Sequence, residues 1–239
     1  MKAVILAGGF GTRLRERITE VPKPMAPIAG RPFLEYLLDT LNKHKVSEVI
    51  LATGYMANKI SDHFSNQYKD IKLSYAVEEK PLGTGGAILY AIDHLSVKND
   101  EPILVLNGDT FLKTDFTEFY SWYKDNEIDL GLVLREVENI SRYGSVKLNG
   151  DKIIGFQEKG PSGSGLINGG IYILQKKLFS SFKVGESFSF EEDILQKIYT
   201  KFRTCGYISD GFFLDIGTPQ DFDKAQTELP QAILTSKKS

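Results

Sequence analysis

The chain has 239 residues, 41% hydrophobic and 25% charged, the balance of an ordinary globular domain long enough to bury a core. Its net charge of −2 gives no broad pull toward nucleic acid or anionic membrane, so any phosphate must be held by local groups. One cysteine, Cys205, excludes an internal disulfide framework and a cysteine-based zinc site; with no signal-peptide pattern and no bilayer-length apolar run, the expectation is a cytoplasmic chain.

Residues 3–7, AVILA, are continuously apolar, as in a strand of a parallel sheet covered on both faces. Residues 31–46 read as an amphipathic helix, with Phe33, Leu34, Leu37, Leu38 and Leu41 on one stripe. A second strand at 48–53, a short helix at 57–64 and an alternating strand at 71–78 follow. A helix at 85–95 then leads to a fourth buried strand, 102–109, ending in Asp109. This βαβα order predicts a doubly wound α/β sheet. After 115–126 the texture changes. Residues 129–137, 144–159 and 165–175 are strand-rich with Gly and Asn-Gly turns, 190–201 reads as a late helix, and 205–218 closes the pattern. The expectation is a single domain over 1–229, with halves 1–125 and 126–229, and a frayed tail over 230–239.

The first strand runs into Ala7-Gly8-Gly9-Phe10-Gly11-Thr12-Arg13. A P-loop needs Lys-Ser/Thr directly after its second glycine, and here Thr12-Arg13 follows Gly11. A dinucleotide fingerprint needs a third glycine and an acidic residue closing the second strand, which instead ends in Thr53-Gly54. What remains is a glycine loop at the carboxyl end of the first strand, where nucleotides bind in open α/β sheets. Its amides can approach phosphate oxygens closely, Arg13 adds a planar fork, and Lys23, between Pro22 and Pro24, adds a point charge. A tight turn followed by a surface Arg and Lys is the plainer alternative for each residue taken singly.

The stretch LAGGFGTRL…PKPM resembles the signature of sugar-1-phosphate nucleotidyltransferases. PLGTGGA, NGDT, YG, FQEK, NGGIYI and FLDIGTP recur in the order that family shows, over nearly the whole chain. The resemblance implies a Rossmann-like, mostly parallel sheet flanked by helices, with a small antiparallel sugar-binding addition. It implies a reaction in which a sugar 1-phosphate attacks the α-phosphorus of a nucleoside triphosphate and releases pyrophosphate. The nucleophile is already an anionic phosphate oxygen, so catalysis is positioning and charge neutralisation, and no histidine is required; His44, His63 and His94 are expected to be solvated. By the same resemblance, Arg13 and Lys23 are catalytic, and Leu6, Ala7, Gly8, Gly9, Gly11, Thr12, Glu78 and Gly83 line the nucleotide site. Tyr143, Gly144, Glu158, Lys159, Asn168 and Gly169 hold the sugar phosphate, while Asp109 and Asp215 share Mg²⁺, a cation that prefers hard oxygen ligands. For the Asn-Gly and Glu-Lys pairs a hairpin turn and a solvated strand end are the readings that the residues alone favour.

Within the family, length and wording are nearest to members that transfer a guanylyl group from GTP to a heptose 1-phosphate. Glu78 agrees. A carboxylate accepts two hydrogen bonds and donates none, which suits the paired N–H donors of guanine, although Glu79 adjoins it. The alternatives are a uridylyl- or cytidylyltransferase acting on a hexose or amino-sugar phosphate, and a non-catalytic nucleotide-sugar sensor. Where the family commonly reads Leu-x-Pro-Leu-Thr, this chain reads Leu14-Arg15-Glu16-Arg17-Ile18-Thr19. Too few residues follow FLDIGTPQDFDKAQ for the hexapeptide-repeat helix of some relatives, and monomer and dimer both remain open.

Overall fold

The computed structural model describes residues 1–9, 11, 14, 17–157, 162–197 and 199–234. In chain order the first half contains β1 (Lys2–Leu6), a 3-10 turn at Lys23–Met25, the ribbon β2 (Pro27–Ile28) and β3 (Arg31–Pro32), then α1 (Phe33–Lys43), β4 (Glu48–Thr53) and α2 (Ala57–Phe64). It continues through β5 (Gln67–Tyr68), β6 (Ile71–Val77), α3 (Gly83–Asp93), β7 (Ile103–Asn107), β8 (Thr110–Leu112) and α4 (Phe116–Asp125). The second half holds β9 (Leu130–Val137), β10 (Ser145–Asn149), β11 (Lys152–Gln157), β12 (Gly165–Leu174), β13 (Thr204–Ile208), β14 (Phe213–Asp215) and α5 (Pro219–Leu234).

Among the described residues ten strands form one sheet in the order β10-β11-β13-β9-β12-β7-β1-β4-β6-β5. The block β7-β1-β4-β6 is parallel, as the βαβα reading expects. β12 runs antiparallel to both β7 and β9, so the antiparallel addition continues the main sheet. Both faces are covered. Ala3 and Ile5 point to a core built with α1, α2, α4 and α5, whereas Val4 points to a second core under α3 and the 190–195 segment. That two-sided burial is why β1 is apolar without alternation.

Several expected boundaries move. The helix predicted over 31–46 is confined to Phe33–Lys43, because Arg31 and Pro32 pair with β2. β7 stops at Asn107, placing Asp109 beyond the strand in a turn. The helix expected over 190–201 is a wide-turned π-helix, Phe190–Leu195, followed by a separate 3-10 turn, Tyr199–Lys201. Residues 230–234, expected in the frayed tail, belong to α5, whose Leu229 is fully buried; 235–239 lie outside the described residues. His44 departs from its solvated reading: its side chain is 12% exposed and its ring packs on Phe116. His63 and His94 are exposed.

Candidate active site

In strand order β1 lies between β7 and β4, and chain connectivity reverses direction there. A crevice at the carboxyl ends of the strands is the geometric result. Backbone bonds extend the ladders past the strand ends. The Gly108 N–H donates to the Leu6 carbonyl at 2.9 Å, Ala7 N–H to Ala52 at 2.7 Å, and Glu78 N–H to Thr53 at 2.8 Å. The cleft they open has a volume of about 1060 Å³ and is lined by residues from both halves of the chain.

Lys23 stands at its centre. Its Nζ donates to Asp109 Oδ2 at 2.6 Å and lies 4.0 Å from Asp215 Oδ1. The two carboxylates are brought together by the β8–β14 ribbon, where Asp215 pairs with Thr110 and Ile216 N–H donates to the Asp109 carbonyl at 3.0 Å. Burial and the neighbouring Asp109 charge push the Asp215 carboxyl above its ordinary range, with Lys23 and the Gly217 amide pulling it back. Gly11 holds the lysine from behind. Its φ is +58°, and a Cβ there would stand 3.0 Å from Lys23 Cβ, so both backbone and space call for glycine.

Glu78 occupies the wall beside Gly8. One oxygen accepts the Leu82 N–H at 3.0 Å, and the other faces Gly8, where a built Cβ would approach it to 3.3 Å. Burial raises its carboxyl pKa, and the Leu82 hydrogen bond lowers it in part. Glu79 is exposed and does not line the cleft. Gly83, at φ +69°, lies against the Phe188 carbonyl.

Tyr143, Gly144 and Asn168 also reach the cleft. The Tyr143 ring meets Phe213 edge-on at 5.9 Å, and Asn168 Nδ2 donates to the Tyr172 hydroxyl at 2.8 Å. Asn168 and Gly169 sit inside β12 rather than in a hairpin turn. Gly169 points away from the cleft, since a Cβ there would strike Leu112 Cδ2 at 2.5 Å; Gly170, at φ +73°, takes the lining position against Asn107. Leu6, Gly8 and Gly9 line the cleft, whereas Ala7 is buried behind it. Thr12, Arg13, Glu158 and Lys159 lie outside the described residues.

Other cleft residues were not picked out from the sequence. Arg142 lines the wall and makes a two-pronged contact with Asp221, Nη1 to Oδ1 at 3.3 Å and Nη2 to Oδ2. Asp221 is the fourth residue of Thr218-Pro219-Gln220-Asp221, a capping-box spacing that opens α5. Thr218 Oγ1 donates to Asp221 Oδ2 at 2.7 Å and accepts its N–H at 3.3 Å. Asn107, Thr84 and Glu191 line the cleft as well. Among the described residues no three His, Cys, Asp or Glu side chains form a metal cluster. The Asp109–Asp215 pair supplies hard oxygens from two groups only, a donor set that fits a cation completing its shell with water and phosphate.

The family model described as Nucleotidyl transferase matches residues 2–232. The chain is 42% identical over 233 residues to a D-glycero-alpha-D-manno-heptose 1-phosphate guanylyltransferase of Aneurinibacillus thermoaerophilus, covering 98% of this chain and 100% of that protein. It is 44% identical to a Campylobacter jejuni protein of the same name, over 93% of this chain and 97% of that one. Among solved structures, HddC from Yersinia pseudotuberculosis complexed with GMP-PN superposes with a TM-score of 0.83 at 36% identity, over 95% of this chain and 99% of that chain. A switch-point cleft with a glycine loop, a central lysine and two convergent carboxylates thus coincides with a match over nearly the full chain, which belongs to the nucleotidyl transferase family.

Proposed function

We propose that this chain transfers the guanylyl group of GTP to D-glycero-α-D-manno-heptose 1-phosphate, yielding GDP-heptose and pyrophosphate for surface-glycan synthesis in the cytoplasm. The near-full-length similarity to two heptose 1-phosphate guanylyltransferases supports the substrate pair. The observation that carries the chemistry is Lys23 set between Asp109 and Asp215 at the mouth of the glycine loop.

In this reading an oxygen of the sugar phosphate attacks the α-phosphorus while the bond to the β-phosphate oxygen breaks. Pyrophosphate leaves with that electron pair. No proton need be removed, so the protein's work is to align the two phosphates and offset their charge. Gly8, Gly9 and Gly11 give backbone access to the triphosphate, and Lys23, with Arg13 from the same segment, neutralises charge that develops on it. Glu78 accepts the N–H donors of guanine through the oxygen that Leu82 leaves free. Tyr143, Gly144 and Asn168, together with Glu158 and Lys159, receive the sugar phosphate. Asp109 and Asp215 would hold Mg²⁺, which when bound offsets phosphate charge.

The test is a panel of four nucleoside triphosphates against several sugar 1-phosphates, read as pyrophosphate release. Turnover concentrated on GTP with the heptose phosphate supports the reading. Strong turnover with UTP or CTP and none with GTP replaces it with a uridylyl- or cytidylyltransferase, and no turnover with any pair favours a non-catalytic sensor.

A further inference from the structure

The amino end of α3 forms one wall of the cleft, and the wide-turned helix at Phe190–Leu195 is stapled to it. Gly85 and Gly86 N–H groups donate to the Phe188 carbonyl at 3.0 and 3.3 Å, and the Phe190 N–H donates to Thr84 Oγ1 at 2.8 Å. Thr84 in turn donates to Glu191 Oε2 at 2.6 Å, and Ser189 Oγ donates to the same oxygen at 3.3 Å. Glu191 is half-buried and lines the cleft. Among the described residues its Oε1 takes no hydrogen bond and no Lys, Arg or His pairs with it.

One carboxylate oxygen is therefore fixed by two hydroxyls, while the other keeps its full acceptor capacity. An anionic oxygen without a cation repels phosphate and selects neutral donors. Its surroundings indicate which ones. The Phe190 ring meets the buried Tyr172 ring edge-on at 4.9 Å, and the Tyr172 phenol, raised in pKa first by burial and next by the Glu191 charge, is bonded to Asn168. Glu191, next in the chain to Phe190, thus stands beside the Asn168–Tyr172 pair. A π-type turn, where the Gln196 N–H reaches back to the Glu191 carbonyl at 3.0 Å, is a form that recurs at functional sites.

We propose that Glu191 is a hydroxyl acceptor for the sugar of the sugar 1-phosphate, held in register by Thr84 and Ser189, and that it sets which sugar hydroxyls are required. The proposal rests on the transferase reading but not on the choice of guanine or heptose.

The test is Glu191→Gln, which keeps an oxygen for Thr84 and Ser189 and places an amide NH₂ where the free oxygen stood. The expected result is a KM for the sugar 1-phosphate raised about tenfold, a KM for the triphosphate within about twofold and an unchanged melting temperature. Thr84→Val, which leaves the charge but loosens it, should raise the same KM by a smaller factor. Deoxy-sugar phosphates add a second readout: the analogue lacking the contacted hydroxyl should be penalised by the wild type and not by Glu191→Gln. A KM change confined to the triphosphate, or a lowered melting temperature with an unchanged sugar KM, overturns the proposal. If GTP and heptose phosphate fail but another pair turns over, the comparison is run with that pair, and the inference stands or falls separately from the substrate assignment. If the wild type turns over no sugar 1-phosphate, both fall.

Discussion

Lys23 Nζ lies 2.6 Å from Asp109 Oδ2, with only 13% of the lysine side chain exposed. The ammonium is held where a triphosphate would bring further negative charge, and Asp215 stands on its other side at 4.0 Å. Lys23→Ala removes the cation that faces both carboxylates. We expect kcat/KM to fall on the order of 10²-fold or more, measured by pyrophosphate release at saturating Mg²⁺. Full retention of activity would remove Lys23 from the catalytic machinery.

The paired carboxylates carry their own prediction. EDTA should reduce turnover to background and added Mg²⁺ should restore it. Asp215→Asn halves the charge offered by the pair and should raise the Mg²⁺ concentration required for half-maximal rate on the order of tenfold, given that two hard oxygen groups share the ion. A metal response identical to wild type would count against a shared site.

Gly11 offers a way to displace Lys23 without deleting it. Alanine there meets both an unfavourable positive φ, about 1 kcal/mol or more, and the 3.0 Å approach to Lys23 Cβ. Gly150→Ala is the control. It has a similar φ of +63° with nothing within 4 Å, in the turn between β10 and β11. Both variants should melt a few degrees lower, but only Gly11→Ala should lose activity, by roughly tenfold. Equal activity in the two would mean that the close contact has no functional weight.

Glu78 links base choice to pH. Burial holds its carboxyl above the ordinary 4.5, and ionisation keeps the oxygen that Leu82 leaves free a charged acceptor for the guanine N–H donors. The KM for GTP should therefore rise as pH falls toward and through that raised pKa. Glu78→Gln should abolish this dependence, lower kcat/KM for GTP by about 10- to 100-fold as expected for a lost charge-assisted hydrogen bond, and improve UTP relative to GTP. Steady-state kinetics with both nucleotides across the acidic range reads all three effects.

Local elements were legible where one physical signal dominated. The bounds of β4 and α2 follow from Glu48–Thr53 and Ala57–Phe64 themselves, and the unbroken apolarity of β1 announces burial on both faces. Signals failed where tertiary contacts overrode local preference. Asn168-Gly169 has turn chemistry but lies inside β12, because Leu112 and Val133 press on Gly169 and leave room for no side chain. The apolar spacing of Phe190, Ile194 and Leu195 suits an ordinary helix and carries no mark of the wide turn. Thr218-Pro219-Gln220-Asp221 has the spacing of a helix start, yet the sequence reading expects no helix after 205–218, where α5 begins at Pro219. The site is a different matter. Asp109 and Asp215 meet only through the β8–β14 ribbon, and nothing in residue spacing reveals that; the family resemblance paired them before the geometry did.

Asp221 gives the fold its clearest pH signature. Burial alone would raise its carboxyl, but hydrogen bonds from Arg142 and Thr218 outweigh that and hold it below the ordinary 3.8. A carboxyl depressed in the folded state adds stability above its unfolded pKa, and that stability is lost as pH falls through the lower, folded value. The side chain is 12% exposed and its Arg142 partner 49%, so solvent screens part of the pair. Asp221→Asn should cost about 1 kcal/mol at neutral pH, a few degrees in a chain of this size. The gap between wild type and variant should hold across neutral pH and close only below 3.8. Because Arg142 lines the cleft, the variant should also raise the KM for substrate more than it lowers kcat. A stability gap that widens as the solution is acidified would contradict the depressed carboxyl, and an unaltered KM would confine Asp221 to anchoring α5.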